Sequence, residues 1–169
     1  MTIQIGDRLP DGKLAEATEF DPVAGCPINP KEVSVAEAIQ GKRIAIFGVP
    51  GAFTPTCSAK HLPGYVQQRD ALKAKGVDEV WCVAANDAFV MAAWGRDQAV
   101  GGAIRMLGDG SAAWARALGL EVDLSARGMG IRLRRFSMLV ENGLVTRLNV
   151  EAPGKFEVSD AGSLLGQLG

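Results

Sequence analysis

The chain has 169 residues, 47% of them hydrophobic, and 18 Lys and Arg against 19 Asp and Glu, for a net charge of -1. That is enough chain for one globular domain with its own core, expected over residues 1–169, and it carries no strong field to hold nucleic acid or an acidic membrane surface. No stretch approaches the roughly 20 apolar residues of a membrane span, and MTIQIGDRLPDG does not lead a basic segment into an apolar run, so the expectation is a cytoplasmic protein acting on a small molecule or another protein. Neither a metal nor an organic cofactor is expected. Cys26, Cys57 and Cys82 are too few and too irregularly spaced for a disulfide framework, which leaves thiols, one or two of them with chemistry to do.

In chain order, Leu14 to Pro30 is rich in Gly, Pro, Asp and Asn and reads as a hairpin or wrapped loop without a motif. Arg43 to Val49 reads as a buried strand, Cys57 to Lys75 as a helix, Glu79 to Ala85 as a strand, and Ala88 to Asp97 as a helix. A strand at Ile104 to Leu107 and a helix at Ser111 to Leu118 follow. Arg132 to Val140 and Leu144 to Val150 read as two strands of a hairpin turning at Glu141-Asn142-Gly143, and a last helix lies near Ala161 to Leu168. Alternation of this kind predicts an α/β layer structure.

The chemistry concentrates in RIAIFGVPGAFTPTCSAKHLPGYVQQ, where a strand passes through a Pro- and Gly-dense loop into a helix that opens close to Cys57. Unpaired N–H groups and the positive end of the helix dipole favour an anion there, so Cys57 is expected as a reactive thiolate. Thr54-Pro55-Thr56-Cys57 has C-x-x-C spacing with a hydroxyl in place of the first thiol, which excludes dithiol exchange at this loop. A hydroxyl so placed can donate to sulfur while accepting a hydrogen bond from a peroxide; the plainer role for Thr54 is a helix cap.

Val49-Pro50-Gly51-Ala52-Phe53-Thr54-Pro55-Thr56-Cys57-Ser58, with Lys60-His61-Leu62-Pro63-Gly64, closely resembles the active-site segment of the peroxiredoxins, in the peroxiredoxin-5 or plant type II subfamily. Asn86-Asp87-Ala88-Phe89-Val90, Trp94-Gly95 and Arg134-Arg135-Phe136-Ser137-Met138 resemble further landmarks of that subfamily, so the likeness runs from about Gly41 to Val150. It implies a thioredoxin-like fold, a central mixed sheet flanked by helices with an N-terminal extension, and a peroxide site made of Pro50, Thr54, Cys57 and Arg135. Period-two alternation supports Arg135 over its neighbours, since it shares a strand face with Ile131, Leu133 and Leu139. A guanidinium on an apolar face needs an anion, either the Cys57 thiolate or the carboxylate of a structural ion pair.

The implied reaction is attack of the Cys57 thiolate on hydrogen peroxide or an organic hydroperoxide, giving a sulfenic acid, with Pro50 and Phe53 shielding the sulfur from water. Animal members of the subfamily carry a resolving cysteine near the C-terminus; in Gly154 to Asp160 there is none, and Ser159 takes that place. Cys82 matches a cysteine of plant type II members, but mid-strand it is expected on the order of 10 Å from the site, and a buried thiol is as readily a small hydrophobe. Cys26 is either a surface thiol without a role or a partner reaching Cys57 from a flexible loop. Recycling by glutathione with glutaredoxin, or by thioredoxin, follows by exclusion.

His61, four residues beyond Cys57, is a candidate general base, though a thiol beside an arginine needs none. Met91, Trp94 and Phe89 form an apolar helical face that is either core or partner surface, and the subfamily implies a homodimer near it. The competing reading of Cys57, from another functional class, is a redox sensor that relays oxidation without turnover.

Overall fold

The segment from Leu14 to Pro30 contributes more than a loop to the computed structural model, which describes residues 1–169. Strands β1 (Lys13–Glu16) and β4 (Lys31–Ser34) pair antiparallel with Leu14 opposite Val33, and between them β2 (Glu19–Phe20) and β3 (Pro27–Ile28) form a small hairpin. Asp21 ties the tip of that hairpin, its carboxylate accepting the N–H groups of Val23 and Ala24 at 2.8 and 2.7 Å. The expected N-terminal extension is not evident, because β1 and β4 are the outer strands of the central sheet itself.

Ser34 caps α1 (Val35–Ala38), and the chain then enters β5 (Arg43–Gly48). The single helix expected over Cys57 to Lys75 is three pieces: a π-helical turn at Cys57–His61, α2 (Leu62–Gln67) and α3 (Arg69–Ala74). Pro63 has no N–H to donate back along an α-helical ladder, and the widened turn, in which the Leu62 N–H reaches the Cys57 carbonyl, ends just before it. There follow β6 (Glu79–Ala84), α4 (Ala88–Asp97) capped by Asp87, β7 (Arg105–Gly108), α5 (Ala113–Leu118) and β8 (Glu121–Asp123). The chain closes with β9 (Ile131–Leu133), β10 (Phe136–Glu141), β11 (Leu144–Val150) and α6 (Ala161–Gly166), capped by Asp160.

Seven strands make the central sheet in the order β11-β10-β5-β6-β7-β1-β4, parallel across β5, β6 and β7 and antiparallel elsewhere. Its inner strands read as unbroken apolar runs because both faces are covered. Ile44, Ile46, Trp81 and Val83 enter one core with Trp114 and Leu118, while Ala45, Phe47, Val80 and Cys82 enter the other with Leu62, Tyr65, Leu72 and Trp94. Cys57 belongs to the second core. No helix is long and apolar enough to cross a membrane.

The continuous strand expected from Arg132 to Val140 is broken. β9 pairs with β8, β10 pairs with β5 and β11, and between them Arg134 donates its N–H to the Leu120 carbonyl at 2.7 Å while the Arg135 carbonyl accepts from Glu151 N–H at 3.0 Å. Leu133 and Leu139 consequently fall in different cores, so the alternation offered in support of Arg135 does not run through it. Its position comes from the register instead: Phe136 lies opposite Gly48, which sets Arg135 beside the loop leaving β5. Gly48 is required there, since a Cβ on it would fall 2.2 Å from the Phe136 ring.

Candidate active site

The loop after β5 is anchored at both ends before it delivers Cys57. Val49 N–H bonds the Val83 carbonyl at 3.0 Å, Ala52 N–H bonds Asn86 Oδ1 at 2.9 Å, and Ser58 N–H bonds the Thr54 carbonyl at 2.9 Å to start the helical run of residues 55–67. Cys57 thus stands in a first helical turn, as expected, with 0% of its surface exposed. Its sulfur accepts a hydrogen bond from Arg135 Nη2 at 3.1 Å. Of the two anions considered for Arg135, the structure supplies the sulfur; no carboxylate lies in ion-pair contact with this guanidinium.

Thr54 does not donate to sulfur. Its hydroxyl gives its proton to the Gly51 carbonyl at 2.7 Å, an arrangement that keeps the oxygen lone pairs free to accept. Pro50 lines the cleft above the site, and its carbonyl accepts from Arg132 Nη1 at 3.2 Å. Phe53 is not the shield it was expected to be: it sits at φ 63°, in the left-handed region that a bulky residue rarely adopts, and is 54% exposed. Its ring lies 6.5 Å from that of Trp94, whose indole N–H donates to Ser58 Oγ at 3.0 Å.

Around Arg135 the structure joins residues whose contacts the sequence does not show. Arg135 Nη1 lies 2.9 Å from His61 Nδ1, and His61 Nε2 lies 3.0 Å from the Ser159 carbonyl, which also accepts from Tyr65 Oη at 3.0 Å. Both nitrogens of His61 are occupied, so it is not placed as a free general base toward Cys57. Burial, and then the positive charge of Arg135, push its pKa down to about 3, leaving a neutral ring. Phe156 packs against this group, its ring tilted 57° to that of His61 at 5.0 Å and 5.8 Å from the Arg135 guanidinium carbon. The chain segment that brings Phe156 there is fixed by the buried carboxylate of Glu151, which accepts N–H groups from Glu157, Val158 and Ser159 and the Ser159 hydroxyl at 2.7 to 3.0 Å. Only the spacing of His61 and Tyr65, one helical turn apart, hints at any of this from sequence.

The remaining thiols are free. Cys82 lies in the same core as Cys57 and is fully buried; burial and then the neighbouring Cys57 push its pKa well up, so it is a protonated, weak nucleophile. Cys26 is exposed at the end of the loop that joins β2 to β3, and the hairpin is held on α4 by Arg96, bonded to the Gly25 carbonyl and stacked 4.5 Å over Phe20. It is not on a loose loop. Around the site a cleft of about 550 Å³ opens between Pro50, Thr54 and Arg135 on one side and Arg127, Lys155 and Phe156 on the other. No group of three or more His, Cys, Asp or Glu is placed to hold a metal ion.

A buried sulfur in a first helical turn, held by a guanidinium on a thioredoxin-like sheet, defines a thiol-based redox protein. The chain belongs to the Redoxin family, whose model matches residues 4–165, and within it to the peroxiredoxins. It is 45% identical to rice Peroxiredoxin-2C over 163 residues, 96% of each chain. The structure of Prx3 from Vibrio vulnificus in complex with hydrogen peroxide superposes with a TM-score of 0.90 at 47% identity, covering 99% of this chain and 100% of that one. A Burkholderia cenocepacia structure carried under a provisional thioredoxin reductase name superposes at 0.92 with 58% identity, covering 98% of both.

Proposed function

We propose that this peroxiredoxin is a one-cysteine thiol peroxidase for hydrogen peroxide and organic hydroperoxides, with Cys57 as the attacking sulfur. The observation that carries it is the Arg135 Nη2 to Cys57 Sγ contact of 3.1 Å beside a Thr54 hydroxyl whose proton is already engaged. The Cys57 thiolate attacks the peroxide oxygen nearer to it; a sulfur–oxygen bond forms, the oxygen–oxygen bond breaks, and the departing oxygen leaves as water or an alcohol after taking a proton. Sulfur loses two electrons and becomes a sulfenic acid. Thr54 accepts the peroxide O–H and so aligns the axis of attack, while Arg135 faces the charge that develops on the departing oxygen. A sensor without turnover would need only the reactive thiol, and the Thr54 geometry adds nothing to that role. Dithiol exchange at this loop has no second thiol, since Thr54 stands three residues before Cys57.

The sulfenic acid is resolved by an external thiol, glutathione with glutaredoxin or thioredoxin. Supporting this, Cys82 is buried and protonated, Cys26 sits on a hairpin tied to α4, and Ser159, buried against Glu151, stands in the place of the resolving cysteine of animal members of the subfamily. Arg127, Arg134 and Lys155 line the cleft and suit the two carboxylates of glutathione. The chain forms a homodimer through the face that leaves Phe53 and Phe89 54% and 47% exposed. Peroxide consumption with each reductant tests the reading: wild type, Cys26→Ser and Cys82→Ser turn over and Cys57→Ser does not. Activity surviving in Cys57→Ser overturns it, as does a Cys57 disulfide to Cys26 or Cys82 after one equivalent of peroxide.

A further inference from the structure

The one histidine of the chain is fully buried, lies outside the reacting atoms, and is nevertheless bonded to the group that touches them. A backbone carbonyl can only accept, so the Ser159 contact at 3.0 Å requires the proton to be on Nε2. A guanidinium can only donate, so the Arg135 contact at 2.9 Å requires a lone pair on Nδ1. Two partners on opposite sides of the ring independently select one neutral tautomer. Arg135 then has one terminal nitrogen on His61 and the other on Cys57, and its planar fork cannot rotate away from sulfur without breaking the bond to the ring. A carboxylate in the place of His61 would hold the guanidinium equally well but would offset its charge; a neutral acceptor leaves that charge to the sulfur and the peroxide.

We propose that His61 is a positioning residue for peroxide reduction: as a neutral acceptor it orients Arg135 so that Nη2 points at Cys57. This rests on the peroxidase reading of Cys57. The alternative is that His61 only secures the Ser159 segment, a task it shares with Tyr65, whose hydroxyl donates to the same carbonyl.

The test uses the full chain with His61→Asn, His61→Gln and Tyr65→Phe. An asparagine oxygen falls near the place of Nδ1 and keeps an acceptor for Arg135 while giving up Ser159; a glutamine amide reaches the place of Nε2 and does the reverse. Two rates are read for each: oxidation of Cys57 by hydrogen peroxide in stopped flow, and alkylation of Cys57 by iodoacetamide at neutral pH, followed by peptide mass, which needs no peroxidase activity. His61→Asn and Tyr65→Phe are expected within about threefold of wild type and His61→Gln slower by about tenfold or more in both rates, the loss of one hydrogen bond to a charged group. Equal rates for His61→Asn and His61→Gln, or a Tyr65→Phe variant as slow as His61→Gln, overturn the proposal. A wild type inert to peroxide that still shows this order in alkylation removes the peroxidase reading and leaves the positioning of Arg135 standing.

Discussion

The Glu151 carboxylate closes on Ser159, taking its backbone N–H at 2.8 Å and its hydroxyl at 2.7 Å. Through Ser159 the same carboxylate fixes the carbonyl that His61 and Tyr65 share, so a residue with no contact to the sulfur stabilises the wall of its site.

Glu151→Gln keeps the shape and loses the charge on which four donors converge. We expect a loss of about 2 kcal/mol in stability, the range for hydrogen bonds to a charged acceptor, read from urea unfolding at neutral pH. The loss of stability should exceed any change in the alkylation rate of Cys57.

Acid should weaken the fold in two stages with the same sign. His61 has its folded pKa lowered from 6.5 to about 3, with Arg135, Tyr65, Glu151 and Asp160 around it, so below pH 6.5 the unfolded chain takes up a proton that the folded chain refuses, and stability falls as pH drops toward 3. Burial raises the Glu151 pKa, but the hydrogen bonds from Ser159, Glu157 and Val158 outweigh it and hold it below 4.5; its contribution is present above that value and is lost as pH falls through the lower folded one. Chemical unfolding from pH 7 to pH 3 should show a slope that begins near pH 6.5; in His61→Asn, which has no imidazole to protonate, that slope should be absent between pH 6.5 and 4.5.

Arg135→Lys preserves charge and loses the fork. One ammonium cannot serve both Cys57 and His61 at the observed spacing, and we expect the rate of sulfenic acid formation to fall by about a hundredfold, as for loss of a preorganised donor.

At Thr54 the two isosteric directions separate the roles of the hydroxyl. Thr54→Ser keeps the bond to Gly51 and should retain most of the rate, whereas Thr54→Val should lose about a hundredfold with the fold intact, checked by single-turnover kinetics beside a melting curve.

Cys82→Ala should turn over like wild type with either reductant while unfolding about 1 kcal/mol more easily, because a buried sulfur is replaced by a small void. Loss of turnover in this variant would make Cys82 the resolving thiol.

The layer structure and the catalytic segment were legible because they are local. An apolar run into Pro50 and Gly51, then a helix opening near Cys57, needs no knowledge of distant residues, and the Asp87 and Asp160 caps mark helix starts in the same way. Arg135 was marked by the resemblance at Arg134 to Met138, while the alternation that supported it is replaced by the structure: the strand is broken beside it, and its direction is set by pairing with β5 and by Glu151, with Gly48 and Glu151 lying 87 and 16 residues away. The role of His61 was out of reach for the same cause, since its partners Arg135 and Ser159 are 74 and 98 residues distant. The strands β1 and β4 were missed because each is only four residues long and half exposed, too short for alternation to register.

Cys57 has no exposed surface, and this has a kinetic consequence. On the proposed reading, in which an external thiol reduces Cys57, a sulfur without exposed surface has to be carried outward before a thiol borne by a tripeptide or a protein can meet it. The turn that carries it, from Cys57 to His61, is the widened one and the least regular part of its helix. On that reading the two halves of the cycle call for two arrangements of this turn, with turnover set between the arrival of the reductant and the turn closing again.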